Sequence, residues 1–226
     1  TSDPGQAYIE PVMVEAPTGA VGYHKNNDGQ IYIYSDEAVP QDISRTISNL
    51  AFRNEAGAFN QGYYTPGTYD VNMKFVMHPP LEYDQDIGHL NIKFADEHIP
   101  YHNVEIVFID ADYIIEAYPH PPSYSMSRDG QDLIITGSSG ENALIEVELL
   151  MERDAVDAFD GYQTQVDNVR QKTVDANRIV QLQHLAAIGF LYGSRLLVIL
   201  IPLALYGLYY VYGREKEYTV PRYLST

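Results

Sequence analysis

Between Tyr8 and Met151, apolar and polar residues alternate in short runs separated by turn-forming residues. Tyr69, Val71, Met73, Phe75 and Met77 alternate with Asp70, Asn72, Lys74 and His78. That period of two belongs to a strand with one buried face, which places Phe75 inward. Truncating an inward Phe75 to Ala is expected to cost about 3–5 kcal/mol. Leu90, Ile92 and Phe94 repeat the pattern, as do Val104, Ile106 and Phe108, and Ile145, Val147 and Leu149. Ile31–Tyr34 and Leu133–Thr136 are shorter strands. Asp129-Gly130 joins two such runs as a hairpin, because Gly supplies the positive φ of a tight turn. Asn27-Asp28-Gly29, Pro66-Gly67 and Ser138-Ser139-Gly140 mark further turns. The pattern predicts a mainly β chain whose residues 1–151 form an Ig-like antiparallel β-sandwich. Asp42 to Phe52 is read as strand or irregular. Ile43, Ile47 and Leu50 have helical spacing there, but Thr46, Ile47 and Ser48 favour extended backbone.

At Glu152 the period changes. Tyr162, Val166, Val169, Thr173, Ala176 and Val180 recur at three-four spacing, which predicts an amphipathic helix. Residues 152–195 are therefore read as a helical stalk or connector. Residues Leu196 to Gly213 then run for eighteen positions without a charge. At roughly 1.5 Å per residue a helix of that length covers about 27 Å, close to the hydrocarbon thickness of a bilayer. Residues 196–213 are predicted to be one transmembrane helix, with 214–226 as a short tail. Leu196 and Ile199 belong to its apolar surface, and Pro202 is tolerated inside a bilayer helix. Arg195 sits at the near edge, where its head can snorkel to the lipid head groups. Arg214 and Lys216 follow the far edge, so the positive-inside rule puts the C-terminus in the cytoplasm and the N-terminal domain outside. Tyr206, Tyr209, Tyr210 and Tyr212 gather at that end as an interfacial aromatic belt.

The charge distribution sharpens this division. Residues 1–160 hold 7 Lys/Arg and 27 Asp/Glu, a net of −20, while residues 161–226 hold 7 and 4, a net of +3; together these give the chain's −17. So acidic a body is repelled by nucleic acid, and no nucleic-acid partner is expected. The chain has no cysteine, which excludes disulfides and thiolate metal sites.

Few residues offer chemistry. His98 and His102 stand beside Asp96 and Glu97, but Pro100 between them argues against the helical pair of a zinc protease. Asp84-x-Asp86 and Asp110-x-Asp112 each point two carboxylates the same way when extended. They are the candidate calcium ligands, although neither has the further ligands and Gly of a calcium loop, and solvated acidic turns are the plainer reading. No nucleophile elbow and no phosphate-binding Gly loop is present. No catalytic residue is assigned and no cofactor is expected, calcium being the one ion these pairs suit.

Tyr212-Gly213-Arg214 directly after the apolar run, and Val220-Pro221-Arg222-Tyr223 beyond it, are short motifs. Pro66-Gly67-Thr68-Tyr69 opens a strand, and Tyr83 to Asp86 form an acidic turn before the next. Asn103 to Ile109 and Leu144 to Leu150 continue as paired strands. In these motifs the chain resembles a family of prokaryotic predicted membrane proteins, domain of unknown function 2207. The resemblance implies a membrane-anchored β ectodomain from an archaeal source, with a cytoplasmic part beyond the Val-Pro-x-Tyr element. It brings no activity and no catalytic residues.

Together these readings give a single-span protein of the cell membrane. Its acidic extracytoplasmic sandwich is a structural, assembly or recognition module without catalysis. Its partners are the bilayer and other membrane or envelope proteins. The alternative is an accessory part of a membrane enzyme or transporter whose active part lies in a cytoplasmic region or a partner.

Overall fold

The computed structural model describes residues 8–35 and 37–214. A compact N-terminal unit reaches Lys172, and a second unit begins at Thr173. The first unit starts with β1 (Tyr8–Glu15), β2 (Val21–Lys25), β3 (Ile31–Tyr34), α1 (Gln41–Leu50), β4 (Glu55–Phe59) and β5 (Asn72–His78). It continues with β6 (Pro80–Tyr83), β7 (Ile87–Ala95), β8 (Tyr101–Phe108), β9 (Ile114–His120), β10 (Ser125–Asp129), β11 (Asp132–Ser139) and β12 (Ile145–Glu152). A single turn, α2 (Arg153–Val156), and β13 (Tyr162–Gln165) precede α3 (Val169–Leu208), which ends in a π-helical turn, Tyr209–Gly213.

The chain is mainly β, with several sheets and one long apolar C-terminal helix. The main core lies between two of the sheets. One has the order β13-β6-β7-β12-β9 and the other β10-β11-β8. Leu81, Leu90, Ile114, Val147 and Leu149 from the first join Ile106, Leu133 and Ile135 from the second in one buried cluster. The hairpin at Asp129-Gly130 forms as expected, with Asp129 opposite Asp132 and Gly130 at φ 59°. β12 is apolar on both faces where it is deepest: Leu149, Leu150 and Met151 are all buried. A strand of that pattern belongs in the middle of a sheet, and β12 pairs with both β7 and β9. The consequence is a strand order of its own. Lettered A to G in chain order, β6 to β12 give sheets A-B-G-D and C-F-E, whereas an immunoglobulin constant domain has ABED and CFG. β13 also pairs parallel to β6, a departure from the antiparallel expectation.

Three further expectations change. Residues 41–50 form helix α1, not a strand. Ile47 anchors it, being 1% exposed, and Lys25 Nζ donates to the carbonyls of Ser48 (2.8 Å) and Ala51 (3.0 Å) at its C-terminal end. A cation there satisfies carbonyls the helix leaves unpaired and complements its dipole, outweighing the β propensity of Thr46 and Ile47. β5 begins only at Asn72 and is exposed along almost its whole length. It pairs with β1 alone, in a two-stranded ribbon. Phe75 is 45% exposed, so it does not point into a core.

The expected stalk helix from residue 152 instead begins at Val169. Tyr162 N–H donates to Pro79 O (2.8 Å) and Val166 N–H to Tyr83 O (2.9 Å), which ties 162–166 along β6. Asn168 then takes φ 56° and separates the strand from the helix. Pro79 and Tyr83 supply the hydrogen bonds that an earlier helix would have made internally, so the three-four spacing of Tyr162 and Val166 does not decide their conformation.

Candidate functional site

The C-terminal helix is the clearest functional element. Val169–Gly213 is long and apolar enough to cross a membrane, and its most apolar stretch is not buried within the protein. Leu196 and Ile199 are exposed, as are Tyr206, Tyr209, Tyr210 and Tyr212. Pro202 lies inside the continuous helix. It has no N–H, so the carbonyl of Val198, four residues earlier, loses its intrahelical donor. The Arg195 guanidinium stands 5.8 Å from the Tyr192 ring, and that of Arg214 stands 4.6 Å from the Tyr210 ring. Each pairs a cation with an aromatic face near an end of the apolar run. Lys216, with the motif Val220–Tyr223, lies outside the described residues.

The second element is the β1–β5 ribbon. Tyr8, Ile9 and Val12 on β1 and Met73, Phe75, Val76 and Met77 on β5 are exposed large apolar side chains. Tyr8 stacks on His78 at 4.2 Å between ring centroids, which fixes one end. No strand pairs with the second edge of β5 among the described residues.

The third element is the face of the five-stranded sheet turned away from the core. Val147 and Leu149 point into the core, so the alternation of β12 turns Glu146 and Glu148 to the other side. His120 on β9 lies directly opposite Glu146, and His89 on β7 lies opposite Leu150. His120 Nε2 is 3.3 Å from Glu148 Oε1, and His89 Nε2 is 3.4 Å from Glu148 Oε2. His89 Nδ1 is 3.4 Å from Glu82 Oε2. Beside them, Tyr118 and Arg170 both donate to Glu116. The bonds from Tyr118 and then Arg170 hold the Glu116 carboxyl below its usual range. Burial and the bond to Glu116 push the Tyr118 phenol up to about 12.

The aspartate pairs have other partners. Asp84 Oδ1 accepts from the backbone N–H of Asp86 (3.0 Å) and Ile87 (2.9 Å), while Oδ2 accepts from Val169 (2.9 Å) at the start of α3. Desolvation raises the Asp84 pKa, but these three bonds outweigh it and leave the carboxyl below its usual value. Asp86 is exposed. Asp112 Oδ2 accepts from Gln131 Nε2 (2.6 Å), and Asp110 sits at φ 52° with its N–H donating to Asp132 (3.0 Å). Among the described residues, neither pair joins a group of three converging metal-ligand side chains. His98 is likewise engaged: Nδ1 faces Ile99 O (2.6 Å) and Nε2 faces Ala143 O (2.8 Å), which clamps a loop. The converging group is His120, Glu146 and Glu148, with one ligand atom from each within 4.8 Å of the others. Sequence reasoning passed over this set. The spacing Glu146-x-Glu148 on a core strand was its one visible sign, and the pairing of β12 with β9 and β7 supplies the rest.

No curated protein and no solved structure matches the chain. A family model described as the predicted membrane protein (DUF2207) N-terminal domain matches residues 3–151. That stretch holds β1 to β11 and nearly all of β12, and an apolar helix able to span a membrane follows it. With about two thirds of its length matched, the chain belongs to the DUF2207 family of predicted membrane proteins.

Proposed function

We propose that this protein is a single-pass membrane-anchored recognition module. The β unit stands outside the cytoplasm as a two-sheet sandwich with its own strand order, and the tail beyond Gly213 is cytoplasmic. Its work is to bind another membrane or envelope protein, without catalysis of its own.

The observation that carries this reading is the β1–β5 ribbon. It displays Met73, Phe75 and Met77 to solvent on one face, beside Ile9 of β1, and Val76 on the other, in a chain whose body is otherwise acidic. Contiguous exposed apolar surface of this kind marks a contact site. The open edge of β5 also offers backbone donors and acceptors to an extended segment of a partner, the mode in which a strand is added to a sheet. The exposed helix of residues 196–213 supports the anchor, and Arg214 with Lys216 after it supports the orientation.

A photo-crosslinking amino acid placed at Val76 tests the reading in native membranes. The expected result is one discrete protein adduct at Val76, and none with the same group at exposed Ser127 on β10. No adduct at Val76, or equal adducts at both positions, would contradict a recognition ribbon.

A further inference from the structure

On the outer face of the five-stranded sheet, imidazole and carboxylate groups approach one another at distances longer than a charge-assisted hydrogen bond prefers. A charge-assisted N–H···O bond is about 2.7–2.9 Å long. The contacts of Glu148 with His120 and His89 are 3.3 and 3.4 Å. His89 Nε2 is shut off from solvent and makes no hydrogen bond, although Glu148 lies beside it.

The 3.3 Å between His120 Nε2 and Glu148 Oε1 suits a coordination shell. Ligand atoms about 2.0–2.1 Å from a tetrahedral metal ion lie roughly 3.3–3.4 Å from each other. His120, Glu146 and Glu148 already bring their ligand atoms within 4.8 Å of one another. Their side chains come from two adjacent strands in fixed register, so little order remains to be created on binding. His120 and Glu148 are 13% and 17% exposed, which shields an ion from competing water, while Glu82 on the flank is half exposed.

Charge points the same way. Glu146 and Glu148 on β12 and Glu82 on β6 gather three carboxylates on one face of the sheet, and like charges held close together repel. Lys93, opposite Glu146, pairs with Asp96, and Arg170 pairs with Glu116. A divalent cation among the carboxylates would relieve this repulsion. Mixed imidazole and carboxylate ligands favour a first-row transition metal over calcium, which takes six to eight oxygens.

We propose that His120, Glu146 and Glu148 form a binding site for a divalent transition metal of the zinc type. His89 is a positioning residue: it faces the second oxygen of Glu148 and is itself oriented by Glu82. This is the outer-sphere arrangement that holds a ligating carboxylate in place.

The test uses the full-length protein in detergent, stripped with a chelator and titrated with Zn²⁺ by calorimetry and with Co²⁺ by visible absorption. The expected result is one Zn²⁺ per chain with Kd below about 10⁻⁵ M. Co²⁺ should give the intense absorption of a four-coordinate site, and Zn²⁺ should raise the melting temperature by mass action. His120→Ala and Glu148→Gln should each weaken Zn²⁺ binding by more than about 100-fold, and His89→Ala by about 10- to 100-fold with an altered Co²⁺ spectrum. His89→Gln should restore part of that loss. Melting in chelator reports folding separately, and His120→Gln replaces His120→Ala if the latter does not fold. Binding weaker than about 10⁻⁴ M would overturn the site. So would Zn²⁺ affinity unchanged in both His120→Ala and Glu148→Gln, which would put the ion on the scattered surface acids, or a site that takes Ca²⁺ in preference to Zn²⁺.

Discussion

Two parts of the N-terminal unit differ in what they bury. From β6 to α2, thirteen hydrophobic residues form one continuous core, with Ile135, Val147 and Met151 fully enclosed. From β1 to β5 the buried apolar residues are Val14, Ile47 and Ala51, and the largest apolar side chains of β5 face solvent. Both parts have strand-like alternation, yet it stabilises the fold only where a second sheet covers one face. In β5 the same alternation produces a surface. Stability is thus concentrated in the later strands, and the exposed apolar surface of β5 lies in the earlier ones.

The largest test of this contrast is Leu149→Ala, expected to cost about 2–5 kcal/mol because the side chain is fully enclosed by both sheets. Denaturant melts of the purified protein in detergent measure it, and a cost below about 1 kcal/mol would remove the distinction. Gly22→Ala probes a tight point of the earlier part. A Cβ at Gly22 would run into the Val14 carbonyl of β1, so the substitution is expected to cost about 1–3 kcal/mol by the same measurement. Asp84→Ala, which frees the turn before β7 and the start of α3, should cost roughly 0.5–2 kcal/mol.

That last effect depends on pH. The folded-state pKa values of Asp84 and Glu116 are depressed, so their contributions are present above the unfolded carboxylate range and fade as pH falls through the folded values. The gap between wild type and Asp84→Ala should therefore be constant above about pH 5 and close below about pH 4. A gap that widens in acid would contradict the assignment. Phe75→Ala stands at the small end, with an expected cost of about 1 kcal/mol or less, because 45% of its surface stays in water and no core encloses it. A loss of 3 kcal/mol or more would mean that the ribbon is covered.

Much of the architecture was legible where local pattern and long-range packing agree. β7, β8, β11 and β12 follow their alternation, Asp129-Gly130 makes its turn, and the apolar C-terminal run is helical. The misreadings arose where distant residues decide. α1 depends on Lys25, whose ammonium reaches the carbonyls of Ser48 and Ala51 across more than twenty residues. β13 depends on Pro79 and Tyr83. β5 showed its period but not whether anything would cover it, since among the described residues it pairs with β1 alone. The His and Glu groups on the outer sheet face were least legible: His89, His120 and Glu148 are separated by about thirty residues each, and strand order alone brings them together.

The central proposal is a β unit held outside the cytoplasm by one membrane helix. Because the chain has no cysteine, a single introduced thiol reports its own side of the membrane without interference. Ser127→Cys and Lys216→Cys, each treated in intact cells with a membrane-impermeant maleimide, give the most direct test. The account predicts that Ser127→Cys is labelled in intact cells and that Lys216→Cys is labelled only after permeabilisation. Labelling of both in intact cells, or of Lys216→Cys alone, would contradict it.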